Sequence, residues 1–93
     1  MTALSGQKTV TAAGAAESLG SQPIGGTLAV KALASNTDVV VVGNDGAGDV
    51  TTSNGFELSA GEFIVFNLVG NLANIMVDAA VNGEGVCWIT SEI

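Results

Sequence analysis

The residues of this chain that could do chemistry are carboxylates in short, glycine-rich turns. The turn Asn44–Asp49, with the sequence NDGAGD, brings together side-chain oxygens of the kind that bind Ca²⁺. An EF-hand loop also needs oxygens at alternating positions and a glutamate at the twelfth, and a phosphate-binding loop needs a lysine followed by serine or threonine. The turn has neither pattern. We interpret Asn44–Asp49 as a hairpin loop, with an occasional Ca²⁺ site as the open alternative.

Paired carboxylates are the other candidate chemistry, since such pairs do the acid–base work of glycosidases. The candidate pairs are Glu57 with Glu62 and Asp45 with Asp49, all in turn-like segments where solvated surface acids are the simpler interpretation. The chain has no histidine, arginine or tyrosine. Without histidine no Ser-His or Cys-His nucleophile pair can form, and one cysteine alone cannot hold zinc. The prediction is a non-enzymatic protein with no catalytic residues, no cofactor and no metal site.

Charge and composition exclude several classes of partner. Two lysines, Lys8 and Lys31, stand against nine acidic residues, which gives a net charge of −7. Nucleic-acid binding needs clustered cations, and anionic membranes are disfavoured for the same reason. No apolar run has the length of a transmembrane helix, and the first residues lack a signal-peptide pattern. We expect no nucleic acid and no membrane as partners, and synthesis in a reducing cytoplasm, which suits the single Cys87.

Short strands separated by turns must position these residues. The regular turn spacing predicts an all-β fold, either an antiparallel β-sandwich or a jelly-roll-like barrel, with about seven or eight short strands. The segment NLANIMVDAAV also fits helical spacing, but we prefer a strand there. The predicted strands are Thr9–Ala12, Ala15–Leu19, Thr27–Ala34, Asp38–Gly43, Glu62–Leu68, Asn74–Ala79 and Gly85–Ser91. Residues 1–7 are expected to form a flexible N-terminal arm, and residues 8–93 a single domain.

Several predicted strands are apolar on both faces, as in DVVVV and EFIVFNL. Antiparallel sheets of soluble monomers normally alternate, and no amphipathic helix is predicted that would cover a second face. In EFIVFNL the alternation assigns Ile64, Phe66 and Leu68 to the core. We predict that the opposite faces contact a neighbouring chain through Val39, Val41, Phe63, Val65, Met76 and Trp88. Aspartate at position 63 or 41 should then abolish self-association and spare the fold. The alternative is one sandwich with two internal layers.

A series of short motifs follows in a recognisable order over residues 8–93. The motifs are Lys31-Ala32, Asn36-Thr37, Val40–Gly43, Leu58–Glu62, Asn71-Leu72, Ile75–Ala79 and Gly83–Val86. In this order they resemble a family of small β-sandwich modules in tailed-bacteriophage virions, which serve as capsid decoration (cement) proteins and as parts of head fibres. Two positions depart from the pattern, since Val41 and Ala60 stand where related sequences often have tyrosine and proline.

The resemblance implies a structural virion protein on the outer capsid surface. Such a protein forms a homo-oligomer, with a trimer favoured, and bridges subunits of the major capsid protein to stabilise the head. An acidic protein is repelled by packaged DNA and suits the outer surface. The alternative function is a receptor- or carbohydrate-binding module of a phage head or tail fibre. That function needs exposed aromatic rings for stacking, and the chain has one tryptophan, no tyrosine and three phenylalanines.

Overall fold

The fold consists of short strands and turns, as a computed structural model of the chain shows for residues 2–43 and 50–92. The strands are β1 (Ala3–Thr9), β2 (Glu17–Ser18), β3 (Pro23–Ala32), β4 (Val40–Gly43), β5 (Phe56–Leu58), β6 (Phe63–Asn71), β7 (Met76–Ala79) and β8 (Gly85–Ser91). One 3₁₀ turn, Leu72–Asn74, precedes β7. The predicted all-β fold is therefore confirmed.

Two antiparallel four-stranded sheets make up the sandwich. Sheet I has the strand order β1-β8-β3-β6, and sheet II has the order β2-β7-β4-β5. Alternating side chains of both sheets meet in one core, as strands with one inward face require. Sheet I contributes Leu28 and Val30, and sheet II contributes Val40, Val42 and Val77.

The predicted flexible arm is wrong, because residues 3–7 belong to β1. This strand pairs with β8 along its whole length, from Ala3 opposite Ser91 to Thr9 opposite Gly85. Its small and polar side chains are exposed or half-buried in alternation, so they carry no apolar pattern that marks a strand. An edge strand of this kind is held mainly by backbone hydrogen bonds to its one neighbour. The strand predicted at Thr9–Ala12 is also wrong, because the strand begins at Ala3 and ends at Thr9.

The ambiguous segment NLANIMVDAAV contains both a turn and a strand. The Asn71 side chain accepts a hydrogen bond from the Ala73 N–H at 2.9 Å and caps the 3₁₀ turn. The backbone then becomes extended at Ile75, and β7 follows. The preference for a strand is confirmed over Met76–Ala79, and the helical spacing reflects the single turn before it. The strand predicted at Gly85–Ser91 matches β8, whereas the short β5 was not predicted.

One end of the sandwich is tied together by Asn36 and Gly85. The buried Asn36 amide donates to the Gly85 carbonyl at 2.8 Å and accepts from the Gly85 N–H at 3.2 Å. A Cβ atom at Gly85 would lie 2.1 Å from the carbonyl oxygen of Lys8 on β1. Glycine is therefore required here, because only a residue without a side chain lets β1 and β8 approach this closely.

Glu84 joins the turn before β8 to the loop before β4. Its carboxylate accepts hydrogen bonds from the Thr37 N–H and hydroxyl, both at 2.7 Å, and from the Asp38 N–H at 3.1 Å. These donors, the Thr37 N–H first, lower the pKa of Glu84 below its ordinary value of 4.5. A carboxyl whose pKa is lowered on folding stabilises the protein above its unfolded pKa. This contribution is lost as the pH falls through the folded pKa.

We expect Glu84→Gln to make stability less sensitive to acid. The variant should be less stable than the wild type at neutral pH, and the difference should shrink as the pH falls below about 4.5 and the wild-type carboxyl becomes protonated. Urea unfolding followed by circular dichroism at several pH values measures this difference. Glu57→Gln, which replaces an exposed carboxylate on sheet II, is the control variant. A Glu84→Gln difference that stays constant with pH would contradict the assignment.

Candidate interaction surface

Val41 does not form part of an exposed surface. It lies on the outer side of sheet II, between the core residues Val40 and Val42, yet it is 0% exposed. The chain's own segment 50–55 covers it, since a Cβ atom at Gly55 would lie 2.5 Å from the Val41 Cβ and 2.6 Å from the Val50 Cγ2. The prediction that Val41 contacts a neighbouring chain is therefore wrong. A loop without periodic apolar residues provides the cover, so no sequence pattern revealed it.

Asp78 lies beside Val41 on the same side of sheet II and is 1% exposed. Its Oδ1 accepts hydrogen bonds from the Gly14 N–H at 3.0 Å and the Ala79 N–H at 2.8 Å. Its Oδ2 has no hydrogen-bond partner among the residues that the structure describes. The turn containing Gly14 thus covers part of sheet II, as segment 50–55 covers another part. Sheet II therefore has a second internal layer on its outer side, which is the alternative to contact with a neighbouring chain.

The remaining predicted contacts away from β6 are only half-exposed. Trp88 points into the sandwich, packs against the core and lies over Gly6, where a Cβ atom would come within 2.7 Å of its ring. Val39, in the loop before β4, and Met76, on β7, are both half-buried. The six predicted contact residues therefore do not form one exposed patch. Only Phe63 and Val65 remain as exposed candidates.

Phe63 and Val65 lie on the outer face of sheet I, together with Ile89, which the sequence analysis did not select. These three side chains are 66%, 49% and 52% exposed. Ala29 stands between Val65 and Ile89 in the register. Ile89 was missed because the prediction placed Trp88 on the outer face, and neighbouring residues of a strand lie on opposite faces. Thr90 points inward and donates its hydroxyl hydrogen to the Thr27 carbonyl.

The outer face of sheet I is apolar at its centre and has no carboxylate. The strand registers bring thirteen side chains to this face: Ala3, Ser5, Gln7, Thr9, Thr27, Ala29, Lys31, Phe63, Val65, Asn67, Cys87, Ile89 and Ser91. Lys31 is the single charged residue among them. An open groove of about 420 Å³ crosses the face beside Lys31, Phe63 and Ile89. Because the groove is open to solvent and has no paired acids, it suits contact with another surface better than catalysis.

Leu68 is also exposed, because a β-bulge reverses the alternation of β6. Gly26 pairs with Val69 and Leu28 pairs with Phe66, so Thr27 alone faces two residues of β6. Leu68 adopts a positive φ of 63° and is 96% exposed, while Val69 takes the inward position. Its predicted place in the core is therefore wrong. An extra residue in one strand shifts every later side chain to the other face.

Within residues 2–43 and 50–92, no group of three or more His, Cys, Asp or Glu side chains could hold a metal ion. The proposed hairpin or Ca²⁺ loop at Asn44–Asp49 lies outside the described residues. No helix in the described part of the chain is long and apolar enough to cross a membrane.

The fold and its exposed face define a small antiparallel β-sandwich with one loop-covered side and one apolar side. Comparisons with protein families, with curated proteins and with solved structures found no match to the chain. A function for this chain is therefore inferred from the exposed outer face of sheet I.

Proposed function

We propose that this chain is a structural virion protein, a decoration or cement protein on the outer surface of a phage capsid. In this proposal it forms a small homo-oligomer, with a trimer favoured, and bridges major capsid subunits to stabilise the head. The observation that carries the proposal is the outer face of sheet I, which exposes Phe63, Val65 and Ile89 and has no carboxylate. On a chain with a net charge of −7, a face without acids is the one that can approach another protein without repulsion.

The size of this face supports many weak contacts rather than one tight contact. The four strands lie about 4.8 Å apart and overlap over about five residues, Leu28 to Ala32 on β3, which gives a shared face of roughly 300 Å². A contact of this size buries about 600 Å² in total, well below the roughly 1,200–2,000 Å² of a stable pairwise complex. Such contacts hold firmly when an oligomer presents several of them to a repeating lattice. A capsid surface is a lattice of this kind.

The position of the acids supports an orientation with the outer face of sheet I towards the capsid. Asp38 and Glu84 lie in loops at one end of the sandwich, away from this face. In this orientation these groups stay in water, where a carboxylate needs no compensating partner.

Sedimentation of the purified chain with capsids of its phage tests the proposal. The wild type should pellet with capsids, and Ile89→Asp should reduce the bound fraction at least about tenfold, because it places a charge in the apolar contact. Val81→Asp is the matched control, since Val81 is an exposed valine in the turn before β8 and away from this face. Circular dichroism should show that both variants are folded.

Either of two results would overturn the proposal: wild-type protein that stays in the supernatant, or Ile89→Asp that pellets like the wild type. Binding to a glycan array without binding to capsids would favour a receptor- or carbohydrate-binding fibre module instead.

A further inference from the structure

The strand β6 forms a long edge of sheet I with an unpaired side. It has nine residues and pairs with β3, and no strand in the described parts of the chain pairs with its other side. Exposed edge strands of this length can pair with another chain, so proteins usually protect them. The bulge at Leu68 interrupts the edge near one end and leaves the stretch from Phe63 to Asn67 regular.

The hydrogen-bond register shows which backbone groups of β6 are free. The Ala32 N–H donates to the Glu62 carbonyl at 2.8 Å, and the Ala32 carbonyl accepts from the Gly61 N–H at 3.1 Å, so Ala32 bonds towards β6 as a residue of a hydrogen-bonded pair does. In an antiparallel ladder such pairs alternate, so Ile64 and Phe66 also bond towards β3. The N–H and C=O groups of Phe63, Val65 and Asn67 therefore point away from the sheet. The side chains of these same residues lie on the exposed outer face.

The other edges of the sandwich are protected. At the opposite edge of sheet I, β1 carries the inward-pointing Lys8, whose Nζ lies 2.9 Å from Glu17 Oε1 on the edge of sheet II. An inward-pointing charge of this kind blocks the addition of another strand. In sheet II, the edge strands β2 and β5 have only two and three residues. In contrast, the regular part of β6 has no charged residue.

The surroundings of β6 favour a cationic partner. A groove of about 410 Å³ lies beside the start of the strand, between the exposed rings of Phe56 and Phe63. The residues Glu57 and Glu62 also line this groove. The Glu62 carboxylate is held in place by the Ser59 N–H at 2.7 Å. A lysine or arginine on an added strand would meet these two acids, whereas an acidic residue would be repelled.

We infer that β6 binds an extended segment of another protein by strand addition, and that this segment has cationic residues flanking apolar ones. A second copy of β6 fits this edge less well, because FIVFNLVGN contains no lysine or arginine and its neighbours Glu57 and Glu62 would add like charges. The inference rests on the proposed function only in placing this segment on the capsid protein. The strand-addition site itself is testable without capsids.

The test uses two end-blocked peptides, Lys-Val-Thr-Val-Lys and Glu-Val-Thr-Val-Glu, added to the wild-type protein and followed by NMR. The cationic peptide should slow hydrogen exchange at the amides of Phe63, Val65 and Asn67, while the amides of Ile64 and Phe66 are already protected by β3. The anionic peptide should bind about tenfold more weakly at low salt, because attraction to two carboxylates becomes repulsion.

Two variants separate backbone pairing from side-chain contact. Val65→Pro removes an outward N–H that β3 does not use, and proline is tolerated at such edge positions, so peptide binding should fall at least about tenfold. Val65→Thr keeps both the N–H and the branched shape and should bind like the wild type.

Equal binding of both peptides, or no change in exchange at the three amides, would overturn the inference. Concentration-dependent protection of these amides without peptide would also overturn it, in favour of a second copy. Peptide binding without capsid binding would contradict the proposed function and leave the strand-addition site intact.

Discussion

Replacing Gly85 by alanine is expected to destabilise the sandwich by about 3 kcal/mol or more, enough to unfold much of a small domain. The new Cβ atom would lie 2.1 Å from the Lys8 carbonyl oxygen and 2.6 Å from the Thr9 Cα. Both are backbone atoms of β1, so no side-chain rotation relieves the overlap, and β1 and β8 must separate. This separation also disturbs the two hydrogen bonds between Gly85 and the buried Asn36 amide.

Urea unfolding of Gly85→Ala beside Gly70→Ala measures this effect. Gly70 is exposed on β6, and a Cβ atom there meets nothing within 4 Å, so its replacement should change the free energy of unfolding by less than about 1 kcal/mol. Similar midpoints for the two variants would show that β1 does not pack against β8 at this position.

Val41→Asp is expected to destabilise the fold by about 4 kcal/mol or more. The new carboxylate would be fully buried under segment 50–55 and would face Asp78, its partner in the register between β4 and β7. Two buried carboxylates at adjacent positions repel each other, and neither has a nearby cation among the described residues, since Lys8 pairs with Glu17. This outcome replaces the sequence-based expectation that aspartate at position 41 would spare the fold.

Val65→Asp is the matched comparison, because it makes the same change on the exposed outer face of sheet I. Its effect on the free energy of unfolding should stay within about 1 kcal/mol. Thermal unfolding of both variants shows whether Val41 is buried by segment 50–55 of its own chain or by a partner chain. If Val41→Asp unfolds at the wild-type temperature, segment 50–55 does not seal Val41 in solution.

The fold class was predictable because turns and β-branched runs follow one another at regular intervals. The match at Gly85–Ser91 shows how well this works where a strand is apolar and bounded by glycine and polar residues. β1 was not predictable in this way, since an edge strand of small and polar residues depends on a partner far away in the chain. The position of Leu68 was not predictable either, because the bulge depends on the pairing of β6 with Thr27 rather than on β6 alone.

The candidate surface was predictable only in part. Alternation placed Phe63 and Val65 on the outer face of β6, and both are exposed there. Their contact with another chain stays a prediction. The same reasoning failed for Val41, because alternation gives the side of a sheet but not what covers it. Irregular segments such as 50–55 cover a sheet without any period of their own, so only three-dimensional contacts reveal them.

The loops over sheet II have a consequence for assembly. A sandwich with an exposed apolar surface on both sheets could bind a further copy on each side. Such contacts do not close into a ring, so the copies would assemble into fibres. Here one broad side is sealed by Val50, Gly55 and the turn at Gly14. Stacking through the other side stops after one layer, so copies of this chain can coat a surface without polymerising on top of one another.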